Sequence, residues 1–241
     1  MILAVFLRGR KAGRPMPEED AVKEESIRMN GNNRNFQREM DRLIEKNGRE
    51  GAVPTLFLHS CCAPCSSYVL EYLSEYFKIT VYYYNPNIYP PSEYGERAEE
   101  VKRLLRELPA KNEISFVAGE YRPEQFYEAV RGHEEDPEGG ERCGICFELR
   151  LREAARLAGE GGFDYFATTL TISPLKDAAR LNRIGEKLGE EYGVNYLASD
   201  FKKKNGYKRS TELSREYGLY RQDYCGCVFS MREREREREK G

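Results

Sequence analysis

Apolar residues recur along this chain in two rhythms. The first is helical: Phe36, Met40, Leu43 and Ile44 fall at i, i+4, i+7 and i+8, with Asn35 placed to cap the helix and Gly48 to stop it. Beyond it, short apolar runs of strand type alternate with longer amphipathic ones. The runs 55–59, 79–84, 114–118, 163–168 and 194–198 read as strands; 63–77, 93–107, 124–131, 144–158 and 176–191 read as helices between them. This alternation predicts an α/β fold, one doubly wound, mostly parallel sheet with helices on both faces. Periodicity fails at the two ends. Residues 1–32 therefore read as a flexible extension, 33–230 as the single working domain, and 231–241, where Arg, Glu and Lys alternate, as a charged tail.

No apolar run comes near the roughly 20 residues that span a bilayer. Met1 to Leu7 is too short for a signal-peptide core, and its positive charges, Arg8, Arg10, Lys11 and Arg14, follow it. A cytoplasmic protein with no membrane partner is the expectation. With 39 basic and 41 acidic residues in 241, net charge is -2, so any nucleic-acid surface has to be local. Such a stretch exists between Phe201 and Arg221, where seven basic residues outnumber Glu212 and Glu216 and are interleaved with Phe201, Tyr207, Tyr217 and Tyr220. An ordinary solvated loop would have the same composition.

Cysteine sharpens the picture. The seven thiols fall in three tight groups, Cys61-Cys62-Ala63-Pro64-Cys65, Cys143-Gly144-Ile145-Cys146 and Cys225-Gly226-Cys227, an odd number that in a reducing compartment argues for metal or redox chemistry over disulfides. Doubly wound sheets bind ligands beyond the carboxyl ends of their strands. Cys61 and Cys62 sit there, just before a helix with Pro64 in its first turn, where the helix dipole lowers a thiol pKa. Cys143 and Cys146 open a second helix after an acidic, Gly-rich loop. A thioredoxin-like dithiol would account for Cys62 and Cys65 and leave the other five unexplained. Thiolates converging from two helix starts suit zinc or an iron–sulfur cluster, and adjacent cysteines with widely separated partners favour the cluster. His59 ends a strand and reads as a packed core histidine, His133 lies in the acidic loop, and no hydrolytic triad or Walker A loop exists. The hydroxyl-rich run Thr168 to Pro174 suits a polar or phosphate group, or simple helix capping.

Five segments together resemble the QueH-type epoxyqueuosine reductases: His59-Ser60-Cys61-Cys62-Ala63-Pro64-Cys65-Ser66, Tyr84-Asn85-Pro86-Asn87-Ile88, Arg142-Cys143-Gly144-Ile145-Cys146, Thr168-Thr169-Leu170-Thr171-Ile172-Ser173-Pro174 and Tyr220-Arg221-Gln222-Asp223-Tyr224-Cys225-Gly226-Cys227. The resemblance implies a fold like the adenine nucleotide alpha hydrolases (HUP-like), a [4Fe-4S] cluster with one additional iron ion, and reduction of epoxyqueuosine to queuosine at the tRNA wobble position. Thiolation enzymes of a related fold carry a Ser-Gly-Gly-x-Asp-Ser loop after the first strand, where this chain has its thiols, so ATP use is not expected.

The expected roles follow. Cys61, Cys62, Cys143 and Cys146 hold the cluster, and Cys65 reaches a second iron. Cys225 and Cys227 form a redox pair or bind a further metal, with Gln222, Asp223 and Tyr224 around them. Asp177 or Asp223 protonates the leaving oxygen. Lys202, Lys203, Lys204, Lys208 and Arg209 meet phosphates of the anticodon loop while Tyr207 or Tyr220 stacks on a base. Electrons come from an external donor. A dithiol oxidoreductase acting on proteins and a non-catalytic, zinc-stabilised tRNA-binding module are the alternatives from other classes.

Overall fold

The computed structural model describes residues 34–239, so the expected extension 1–32 and the last two tail residues lie outside the described residues. Five strands form one all-parallel sheet in the order β3-β2-β1-β4-β5: β1 (Thr55–Ser60), β2 (Lys78–Tyr83), β3 (Ile114–Ala118), β4 (Tyr165–Thr168) and β5 (Asn195–Tyr196). Side chains alternate across β1. Leu56 and Leu58 face one core, and Phe57 faces the other. The helices divide accordingly. On the Leu56 side lie α1 (Phe36–Arg49), α2 (Ala63–Leu73) and α3 (Pro91–Glu107); on the Phe57 side lie α5 (Glu141–Glu160) and α6 (Ala178–Tyr192). Short α4 (Pro123–Ala129) precedes α5. The doubly wound expectation is met.

The expected cap of α1 is present, Asn35 accepting from the Arg38 N–H at 3.0 Å. One element was not expected: the basic stretch folds into α7 (Gly206–Glu216). The charged run at the end is helical, as α8 (Val228–Glu239). Helix α7 buries Gly206, Ser210, Leu213 and Ser214, a mostly small-residue stripe. A Cβ at Gly206 would collide with Tyr68 of α2 and with the Phe201 carbonyl, so this close approach of α7 requires glycine.

Strand order reverses between β1 and β4, and a crevice opens there at the carboxyl ends of parallel strands. His59 pins three of those ends together. Its ring is fully buried, donates from Nε2 to the Tyr84 carbonyl after β2, and accepts at Nδ1 from the Thr168 hydroxyl of β4. Burial and then the nearby Arg150 guanidinium push its pKa down to about 4, so the ring is neutral. It acts as a structural tie.

Candidate functional site

Two adjoining cavities occupy the crevice, and together they collect every cysteine. The larger, about 280 Å³, is lined by Cys61, Cys62, Cys65 and Cys225; the smaller, about 20 Å³, by Cys143, Cys146, Cys225 and Cys227. Glu138, Arg150 and Cys225 belong to both walls.

The first three sulfurs come from one strand-to-helix turn. Cys62 is extended at the N-cap of α2, and Pro64 starts the helix. The Sγ atoms of Cys61, Cys62 and Cys65 lie within 4.8 Å of one another, those of Cys61 and Cys62 3.7 Å apart. Their titration splits. Hydrogen bonds from Cys62 and Cys65 hold Cys61 well below the ordinary thiol value, while Cys62 is pushed up to about 12 by its bond to Cys61, and Cys65 is raised by the same two neighbours. The three thiols of the helix start thus titrate apart, Cys61 down and Cys62 and Cys65 up, not down together. Three sulfurs converging on one point can ligate one metal ion.

The second group sits deeper. Cys143 and Cys146 occupy the first turns of α5, and Cys143 Sγ accepts the Gly139 N–H at 3.2 Å. Cys225 and Cys227 arrive from the opposite direction on the loop before α8, where Gly226 has φ of 125° and its carbonyl accepts the Tyr89 N–H. Cys146 and Cys227 pack in one apolar cluster with Phe126 and Val130. Burial raises Cys143, pushes Cys146 up to about 11, and, with Cys225 nearby, pushes Cys227 up to about 12. Of the expected quartet, Cys61 and Cys62 line the larger cavity and Cys143 and Cys146 the smaller, on either side of the shared wall of Glu138, Arg150 and Cys225.

Three buried arginines surround the sulfurs. Arg150 donates to the Cys146 carbonyl at 3.1 Å and to Asn85, whose amide in turn donates to the Ser60 carbonyl at the end of β1. Arg142 is held by the carbonyls of Glu134 and Asp136 and pairs with Glu233 of α8; Arg97 pairs with Glu93 and donates to the Cys225 carbonyl. Each still keeps a buried nitrogen without a partner, Arg150 Nη2, Arg142 Nε and Arg97 Nη2. Unpaired cationic N–H groups beside buried sulfur are costly unless an anion shares the space. Lys176 lines the larger cavity; burial alone would lower it, but the thiols of Cys225, Cys65 and Cys61 outweigh that and hold its ammonium above the usual lysine value.

The other expected residues scatter. Asp223 lines the larger cavity and pairs with Arg238. Asp177 does not line it; its carboxylate caps α6, accepting from the Ala179 and Arg180 N–H groups at 2.8 and 3.1 Å. In the basic stretch, Lys202 pairs with Asp200, Lys204 with Asp41, Arg209 with Glu71 and Lys208, at 4.0 Å, with Glu212; Lys203, Lys204 and Lys208 are exposed. Tyr207 borders the larger cavity; Tyr220 lies in a separate groove with Glu96, Glu99 and Glu100. Arg150, Arg97 and Lys176 carried no sequence signal, since an arginine or lysine in a helical pattern normally reads as solvated.

A family model described as Epoxyqueuosine reductase QueH matches residues 56–233. The chain is 46% identical over 207 residues to the epoxyqueuosine reductase QueH of Streptococcus pyogenes serotype M1, covering 85% of this chain and 81% of that protein. Against the Staphylococcus epidermidis protein of the same name identity is 43% over 200 residues, covering 81% and 84% of the two chains. Against that of Thermotoga maritima it is 37% over 186 residues, covering 75% and 92%.

Proposed function

The chain belongs to the epoxyqueuosine reductase QueH family, and from that premise we propose that it reduces epoxyqueuosine to queuosine at the wobble position of tRNA, the final step of queuosine biosynthesis. The observation that carries the reading to the level of chemistry is the convergence of all seven thiols on two adjoining cavities at the switch point of the sheet. Turning an epoxide into an alkene and water consumes two electrons and two protons; among side chains a cysteine pair can supply them by closing a disulfide, and a redox centre fed by an external donor supplies them one at a time. Cys143, Cys146, Cys225 and Cys227 offer a four-sulfur donor set for a [4Fe-4S] cluster, and Cys61, Cys62 and Cys65 offer three sulfurs for one additional iron. The unpartnered N–H groups of Arg150, Arg142 and Arg97 fit an anionic, sulfur-ligated centre. When bound, these groups supply single electrons and a Lewis acid for the epoxide oxygen.

The chain's own residues do the rest. Lys176 places an ammonium in the larger cavity, where an N–H donor offsets negative charge developing on the departing oxygen. Tyr224 and Asp223 close the same space from the loop that carries Cys225. Asp177 is committed to its cap, and the carboxyl groups that line the larger cavity are Asp223, which pairs with Arg238, and Glu138, which accepts from the Ser230 hydroxyl. An external donor returns two electrons per turnover. Among the described residues no helix is long and apolar enough to cross a membrane. Anaerobically reconstituted protein, incubated with epoxyqueuosine-containing tRNA and a chemical reductant, should yield nucleosides lighter by one oxygen. Intact epoxide alongside an intact iron–sulfur spectrum would refute the assignment.

A further inference from the structure

The larger cavity has room for one base and not for a loop of nucleotides. At about 280 Å³ it falls just under the usual range for small-molecule sites, roughly 300–1,000 Å³. An anticodon loop cannot enter it, so on the epoxyqueuosine reductase reading the modified base has to leave its stack and be inserted alone. Its two neighbours in the loop then remain outside, each with one face uncovered. What the cavity presents at its opening is therefore the surface that meets them.

Two exposed apolar side chains stand at that opening. Leu175 is 63% exposed, more than any other large hydrophobic residue among those described, and Tyr207 is 40% exposed; both line the cavity. A single exposed leucine is unremarkable. This one is displayed on an ordered turn, because the Leu175 N–H donates to Ser173 Oγ, the Lys176 N–H donates to the Ser173 carbonyl, and Pro174 stiffens the segment between them. Tyr207 is held with equal firmness in the first turn of α7, its carbonyl accepting from the hydroxyls of Ser210 and Thr211. Arg221 and Arg234 line the same cavity and are the cations available to flanking phosphates. Apolar faces interleaved with cations at the edge of a base-sized hole form the pattern of a stacking platform for single-stranded RNA.

We propose that Leu175 and Tyr207 cover the faces of the two nucleotides that flank the extruded base, Leu175 as an aliphatic wedge and Tyr207 as a stacking ring. Tyr220 takes no part. Its hydroxyl donates to Glu93 and its N–H to Glu100, and it lies in a separate groove with Glu96, Glu99, Glu100, Arg103 and Arg106, away from the larger cavity. The inference rests on the epoxyqueuosine reductase reading, and the test separates the two.

Steady-state reduction of an anticodon stem-loop carrying epoxyqueuosine is measured for wild type, Leu175→Ala, Tyr207→Ala, Tyr220→Ala and the conservative Leu175→Met and Tyr207→Phe, with the visible spectrum of each holoprotein as a check on the metal centre. Truncating a side chain that stacks on a base raises KM by about 5- to 100-fold. The two alanine variants at the opening should show that rise with kcat within about twofold of wild type, while the conservative variants and Tyr220→Ala stay near wild type. Unchanged KM in both alanine variants, or a fall confined to kcat with an altered spectrum, would overturn the proposal. Failure of wild type to remove the oxygen would instead overturn the functional reading beneath it.

Discussion

Cys61, Cys62 and Cys65 face a cavity of about 280 Å³ that opens to solvent, whereas Cys143, Cys146 and Cys227 surround one of about 20 Å³ walled by Phe126 and Phe147. Hydrogen bonds from Cys62 and Cys65 lower the Cys61 thiol in the first group, while burial raises Cys143, Cys146 and Cys227 in the second. If each group takes a metal, its thiols must lose their protons, and the raised ones give them up least readily. The same element thus serves two ends. The larger cavity has room for a substrate beside its three sulfurs, and the smaller has none.

The sharpest way to break this contrast is to remove one sulfur from each group. Cys146→Ala should abolish cluster absorption, acid-labile sulfide and turnover together. Cys61→Ala should abolish turnover while keeping the absorption and losing one metal ion per chain. If both variants lose the absorption equally, the two groups act as one ligand set and the contrast falls.

A smaller effect tests how the enclosed group is held. A Cβ at Gly144 would run into the Arg180 guanidinium, which itself donates to the Gly140 carbonyl at 3.0 Å and pairs with Glu141, fixing the start of α5. Gly144→Ala should lower stability by about 1–3 kcal/mol in urea unfolding. Arg180→Ala in the same chain should recover much of that loss, and simple additivity of the two would show that no clash exists.

Arg150 links the groups, and its cation favours the more negative, reduced state of any centre beside it. Arg150→Met should therefore lower the reduction potential by on the order of 59 mV, read in a redox titration of the holoprotein. An unchanged potential would remove Arg150 from the electrostatics of the site.

The smallest effect lies at the far end of β1 and provides a control. Asp164 accepts from the Thr55 N–H at 2.8 Å and the Thr55 hydroxyl at 2.7 Å, bonds that hold its carboxyl below the ordinary aspartate range. Since the folded chain binds that proton less readily than the unfolded one, the stabilisation is present above about pH 4 and is lost as pH falls through the folded value. For this exposed group it amounts to less than about 1 kcal/mol. Asp164→Asn should flatten acid unfolding curves slightly and leave both metal groups intact; a changed visible spectrum would show that the strand's two ends are coupled.

Much of the architecture was legible in the chain. Leu56, Phe57 and Leu58 announce a strand buried on both faces, and Phe147, Leu151, Ala154, Ala155 and Ala158 announce the inner stripe of α5. Helix α7 was not legible, because a helix that packs through Gly206, Ser210 and Ser214 shows no apolar period, and β5 shrank to two residues of the expected five. Spacing gave the three thiol groups and their place beyond the strand ends. Their partition was hidden, since it depends on the return of the loop through Gly226, and burial of Arg97, Arg142 and Arg150 leaves no mark in local sequence.

That returning loop also fixes an order of events during synthesis. Cys225 and Cys227 reach their places only when α8 is formed, for the Cys225 N–H donates to Ser230 Oγ, the Ser230 hydroxyl donates to Glu138, and Glu233 pairs with Arg142. Domains fold from the N-terminal side as the ribosome extends them. The sheet, the open thiol turn and the first two sulfurs of α5 are thus assembled while the enclosed site still lacks half its donors. On the proposed reading, metal delivery to that site waits for the last described helix, and a ribosome stalled before residue 225 leaves a chain whose fold is nearly complete and whose smaller cavity lacks Cys225 and Cys227.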